Sequence, residues 1–186
     1  MYNRKYTPEM ITLLAGNEIF VFGSNLAGSH GGGAARLAYN RFGAIWGQGV
    51  GFQGQCYAIP TMHGGVDAIK PYVDEFISFT KLHPELIFLV TKIGCGIAGF
   101  KDEEIAPLFA AAIDVENIIL PKSFVCVIST AERYAAEMST MKFKAVRIKL
   151  FREDEEKLKS MTREEKTVFM QKIREEHRYT VIRDED

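Results

Sequence analysis

Val21-Phe22-Gly23-Ser24-Asn25-Leu26-Ala27-Gly28-Ser29-His30-Gly31-Gly32-Gly33-Ala34-Ala35-Arg36 runs from an apolar segment, through a polar turn, into three consecutive glycines and the start of a helix. Glycine loses more backbone entropy on ordering than any other residue, so such a run between a strand and a helix points to a conformation that only glycine can adopt. Upstream, Gly16-Asn17 signals a turn, and Glu18 to Phe22 reads as a short strand buried on both faces, the kind that parallel sheets contain. Downstream, Ala34, Leu37, Ala38 and Phe42 share one helical face, and Gly43 supplies the stop.

The same alternation continues along the chain. Cys56-Tyr57-Ala58-Ile59-Pro60 is a strand ended by its proline, and Ile87-Phe88-Leu89-Val90 is another. Between them, Asp67 reads as an N-cap, with Ile69, Tyr72, Val73, Phe76, Ile77 and Thr80 at helical spacing until Pro84 stops the pattern. A second glycine loop follows, Lys92-Ile93-Gly94-Cys95-Gly96-Ile97-Ala98-Gly99-Phe100. Asp102 reads as the cap of a helix with Ile105, Leu108, Phe109, Ala112 and Ile113 inward, and Phe124 to Ile128 reads as one more strand. Thr7-Pro8-Glu9-Met10-Ile11 predicts a short opening helix. Gly47, Gly49, Gly51 and Gly54 predict a flexible connection from Ala44 to Gln55 with no regular element.

Strands alternating with helices imply an α/β fold in three layers, α/β/α, around a mostly parallel central sheet. Such sheets bind ligands outside the carboxyl ends of their strands, where both glycine loops fall. The core is expected over residues 1–130 and a charged C-terminal appendage over 131–186. From Phe151 to the end, 20 of 36 residues are charged, so this part cannot share the core's composition. There Thr162 and Glu165 form a capping box, and Val168, Phe169 and Ile173 give a narrow apolar stripe. Val146, Ile148 and Leu150 alternate with charges as a half-exposed strand does, with Tyr179 to Ile182 as its partner.

Composition bounds the function. The 47% hydrophobic content supports a packed core, and a net charge of -1 argues against a nucleic-acid-binding field over the whole surface. No apolar run approaches the roughly 20 residues of a membrane span, and the start, Met1 to Tyr6, lacks the apolar core of a signal peptide, so a cytoplasmic location without membrane partners is expected. Cys56, Cys95 and Cys126 are odd in number and widely spaced, which fits reduced thiols, with Cys126 as a small buried hydrophobe, better than disulfides or zinc. Neither a metal nor a cofactor is expected.

A helix that opens on glycines presents unpaired N–H groups and the positive end of its dipole, and so favours an anion. Two such loops at neighbouring strand ends suit a diphosphate. No Gly-Lys-Ser or Gly-Lys-Thr closes the first loop, and the Gly-x-Gly-x-x-Gly match from Gly49 to Gly54 follows no convincing strand.

Asn25-Leu26-Ala27-Gly28-Ser29-His30-Gly31-Gly32-Gly33-Ala34-Ala35 resembles the ADP-ribose-binding motif of macrodomains, and Gly96-Ile97-Ala98-Gly99-Phe100 is similar to their second loop. Ile93-Gly94-Cys95-Gly96 resembles the run found in the branch that removes ADP-ribose from proteins. The likeness extends from about Glu18 to Ser129. It implies binding of ADP-ribose or a related NAD-derived nucleotide, free or on an ADP-ribosylated macromolecule, with hydrolysis of an ADP-ribosyl bond as a separate hypothesis.

By the same resemblance, Asn25 positions the distal ribose and carries the catalytic role in the hydrolase reading. Gly31, Gly32 and Gly33 approach that ribose and the phosphates, Gly96, Ile97, Ala98 and Gly99 cradle the diphosphate, and Gly23, Ser24, Gly94 and Cys95 complete the expected ligand-binding set. Phe100 is expected near the distal ribose. The family's adenine-contacting Gly-Asp-Ile-Thr has its nearest match in Glu9-Met10-Ile11-Thr12, with the acid displaced, and Ala98 stands where the hydrolytic branch has aspartate.

Other residues have plainer readings. His30 is expected to be solvated or at the ligand's edge, Lys92 to be a solvated charge, His63 and His83 to be isolated, and Asp74-Glu75 to lie on an outer helix face. Trp46, Phe52 and Tyr57 pack under the long loop, with stacking on a base as the alternative. The competing function is a non-catalytic interaction or scaffold protein that uses residues 131–186 for a partner or a second copy. No oligomeric state follows from the residues.

Overall fold

The computed structural model describes residues 6–143, 148–150, 152–176 and 179–181. Its centre is a five-stranded mixed sheet of order β2-β3-β1-β4-β5. The strands are β1 (Glu18–Ser24), β2 (Gly51–Gln53), β3 (Cys56–Pro60), β4 (Ile87–Val90) and β5 (Ile118–Ile119). β1 pairs in parallel with β3 and β4, β4 pairs in parallel with β5, and β2 runs antiparallel on β3. The register sets Phe20 against Cys56 and Leu89, and Val21 against Tyr57 and Val90.

Alternation along the strands divides the core in two. Ile19, Val21, Tyr57, Ile59, Phe88 and Val90 face one side. There they meet Ile69, Val73 and Phe76 of α2 (Val66–Leu82) and Phe124 and Ile128 of α4 (Lys122–Phe143). Phe20, Phe22, Cys56, Ala58 and Leu89 face the other side, against Ala35 and Ala38 of α1 (Gly33–Arg41) and against Phe42 and Ile11. The near-continuous apolar strands are therefore covered on both faces, as parallel strands require.

Several expectations are corrected. Phe124 to Ile128 is helical rather than a strand: Phe124 and Ile128 are buried while Cys126 is exposed, a spacing of four that a helix brings to one face. The fifth strand is the shorter Ile118–Ile119 just before it. Thr7 to Ile11 forms no helix, because Thr7 bridges to Pro121, its N–H bonded to Leu120 O at 2.9 Å and its hydroxyl to Ile119 O at 2.6 Å. The connection from Ala44 to Gln55 contains β2.

Asp67 and Asp102 lie inside the first turns of their helices, one or two residues past the N-cap positions, which belong to Gly65 and Lys101. In that position their charge still favours the helix dipole. The helix expected from Asp102 is α3 (Asp102–Ile105) followed by a 3-10 segment, Ala106–Ala112. Pro107 has no N–H to continue the α-helical ladder. Ile105, Phe109 and Ala112 are nevertheless buried as their spacing predicts.

Chain contacts divide the molecule into Met1–Tyr134 and Ala135–Asp186. The second unit holds β6 (Ile148–Leu150) antiparallel to β7 (Tyr179–Val181), with α5 (Arg152–Lys159) and α6 (Arg163–Glu175). Thr162 and Glu165 make the capping box, with Thr162 N–H donating to Glu165 Oε2 at 2.8 Å. Ile173 is buried and Val168 is exposed, so the stripe is narrower than its spacing implied. Val146 and Ile182 lie outside the described residues, as do Met1 to Lys5. Among the described residues no helix is long and apolar enough to cross a membrane.

Candidate functional site

β1 and β4 are neighbours, yet the chain leaves them in opposite directions along the sheet, from β1 through α1 toward β3 and from β4 through α3 toward β5. A crevice opens at the carboxyl ends of two such strands. Both glycine loops begin there. Gly23 lets them meet: a Cβ on it would lie 3.3 Å from both Gly94 N and Thr61 Oγ1.

Asn25 closes the first loop on itself. Its Nδ2 donates to Ser29 O at 2.9 Å, and Ser29 N–H donates to its Oδ1 at 3.0 Å. Each atom of the amide keeps capacity for a further partner, one N–H and one lone pair. Ser24 is buried, and its hydroxyl donates to Gly49 O.

His30 is not solvated. It is 1% exposed, and its Nε2 lies 3.1 Å from both Ile45 O and Gln48 O, so that nitrogen carries the proton. Its ring meets Phe22 and Trp46 edge-on. Gly47 N–H donates to Gly28 O at 3.0 Å, so the connection from Ala44 to Gly49 props the glycine loop from below. Trp46 remains 56% exposed beside Tyr39, whereas Phe52 stacks on Phe79 and Tyr57 is buried.

The two loops line an inner cavity of about 180 Å³. Gly23, Ser24, Asn25, Gly32 and Gly33 contribute from the first loop, and Gly94, Gly96, Ile97 and Ala98 from the second. Ile97 is 71% exposed and reaches across, its Cδ1 2.9 Å from where a Cβ on Gly32 would sit. Gly31, Cys95, Gly99 and Phe100 are not brought to this cavity. Phe100 and Cys95 turn toward the core instead.

Sequence reasoning missed Thr61, Met62 and Thr91, which also line the cavity. They follow β3 and β4 at the same sheet edge, so the rule of carboxyl ends would have found them once the strand order was known. It also missed a wider outer cavity of about 910 Å³, where Gly33, Ala34, Thr91 and Lys92 are shared with the inner one. Glu9, Met10, Ile11 and Thr12 line its far side, with Cys126.

Lys92 is not merely solvated: its Nζ lies 3.1 Å from Asp102 Oδ2. Burial works against ionisation of Asp102, but the polar neighbours Ser123, Cys95 and Lys92 outweigh it and hold the carboxyl below its ordinary value of 3.8. A depressed carboxyl stabilises the fold above its unfolded pKa, and that contribution is lost as pH falls through the folded value. Acidification below about 3.8 should therefore destabilise the protein more than the Asp102→Asn variant, measured by thermal melts across pH. Parallel curves for the two would count against the pair.

Burial, then Asp102 beside it, pushes the Cys95 thiol up to about 12, and burial alone does the same for Cys56. Both stay protonated near neutrality and do not act as thiolate nucleophiles. Cys126 is exposed, correcting the expectation of a buried residue. At pH 8 iodoacetamide should modify Cys126 first and Cys56 only on unfolding, read by mass spectrometry; equal rates would contradict the burial order. Among the described residues no cluster of three or more His, Cys, Asp or Glu could hold a metal ion. Compared with protein-family models, with curated proteins and with solved structures, the chain finds no match.

Proposed function

We propose that this chain is macrodomain-like and binds ADP-ribose or a related NAD-derived nucleotide, with the diphosphate between the two glycine loops. One observation carries the reading: two loops far apart in sequence follow adjacent parallel strands and line a single cavity. α1 begins at that cavity with no side-chain cap and no acidic residue in its first turn, which leaves N–H groups for an anion.

In this reading adenine lies in the outer cavity. Support comes from Glu9, Met10, Ile11 and Thr12, which line it and are the nearest match to the adenine-contacting segment of the family. Asn25 uses its remaining N–H for a hydroxyl of the distal ribose. Hydrolysis is the second tier: water adds to the carbon linked to the ribose oxygen, that bond breaks, and the oxygen leaves with a proton. Ala98 supplies no acid for this step, so Asn25 orients the water and the substrate's own phosphate assists.

Calorimetry with ADP-ribose, AMP and NAD tests binding, and absence of heat with all three at millimolar ligand overturns it. Asn25→Ala should lower release from O-acetyl-ADP-ribose or ADP-ribosylated protein at least tenfold. Equal rates in the variant remove Asn25 from the mechanism.

A further inference from the structure

The outer cavity carries more positive charge than a neutral adenosine would use. Arg41 at the end of α1, Lys92 after β4 and Lys122 at the start of α4 line it, against a single acidic residue in its wall, Glu9. Lys92 is balanced by Asp102. Among the described residues neither Arg41 nor Lys122 forms an ion pair.

Lys122 stands in the first turn of a 22-residue helix whose own first turn has no acidic residue, where a cation gains nothing from the helix dipole. The carboxyl at that helix start is Asp102, bonded to Ser123 and already paired with Lys92. Arg41 brings a planar guanidinium that can hold a phosphate through two parallel N–H bonds. Beneath these charges the wall is apolar, with Phe20, Leu37 and Val90, while Arg41 and Lys122 themselves are exposed and free to swing toward a ligand at the rim.

Resting on the nucleotide reading above, we infer that the preferred ligand carries an additional phosphate on its adenosine ribose, held at the rim of the outer cavity by Arg41 and Lys122. The ligand class is ADP-ribose 2′-phosphate, as a 2′-phosphorylated nicotinamide dinucleotide would supply, rather than ADP-ribose itself.

The test is calorimetric titration of the full chain with ADP-ribose and with ADP-ribose 2′-phosphate, in low and in high salt. The 2′-phosphate should bind at least tenfold more tightly in low salt, with the preference shrinking as salt screens the pair. In the Arg41→Gln/Lys122→Gln double variant the ratio of the two affinities should fall below twofold. Equal affinities in the unmodified protein, or a ratio unchanged in the double variant, would overturn the inference while leaving the nucleotide reading intact. Heat from neither ligand would overturn both.

Discussion

Gly49→Ala should destabilise the first unit by about 3 kcal/mol and lower its melting temperature by roughly 10 °C. A Cβ at this buried position would lie 2.0 Å from Asn25 O and 2.8 Å from Leu26 O, both backbone atoms that no rotamer change can move. One of the two segments must shift. Gly49 O accepts the Ser24 hydroxyl, and the neighbouring Gln48 O accepts from His30 and from Gln53, so the displacement breaks bonds on both sides. Gly16→Ala is the control: nothing lies within 4 Å of its Cβ, and the change should stay within about 0.5 kcal/mol. Thermal melts followed by circular dichroism decide it, and a Gly49→Ala melt within 2 °C of the parent protein would refute the close approach.

Gly96→Val should have the opposite profile, leaving stability unchanged and weakening nucleotide binding about fifty-fold, roughly 2.3 kcal/mol. Gly96 is exposed, has no positive φ, and would place a Cβ in open space. Nothing within the fold asks for glycine there. In the proposed site the missing side chain is what lets a phosphate oxygen reach the backbone, and the two methyls of valine occupy that space. Calorimetry and a melt on the same sample separate the effects. A variant that binds normally removes Gly96 from the site, and one that melts early makes the glycine structural.

Much of the core was legible because its signals are local. Ile19 to Phe22 and Ile87 to Val90 are unbroken apolar runs, and the spacing of Ile69, Val73, Phe76 and Ile77 identifies α2 without reference to anything else. Phe124 to Ile128 failed for a physical reason. Five apolar residues carry no period, and the helix shows only when Pro121, Phe124 and Ile128 are seen together as the buried face. β2 was invisible because Gly51-Phe52-Gln53 has strand geometry only through its pairing with β3.

The glycine loops announced themselves by composition, but their depth did not. His30 reads as a loop histidine until the carbonyls of Ile45 and Gln48 are brought beneath it by tertiary packing. Lys92 reads as a solvated charge until Asp102 arrives at the same end of the sheet. Arg41, Lys122 and Glu9 share a cavity only because α1, α4 and the N-terminal segment converge there, which no spacing in the sequence encodes.

The flanks of the central sheet bear on how native molecules of this protein avoid sticking to one another. A long bare flank offers a ladder of free N–H and C=O groups onto which a strand from another molecule can zip. Here β2, on one side, is three residues long, and β5, on the other, is two, with Thr7 already bridged to Pro121 just beyond it. Pro121 has no N–H to offer. Precipitation on heating should therefore begin from unfolded chains, with a lag that tracks the melt, rather than from growth on native molecules below it.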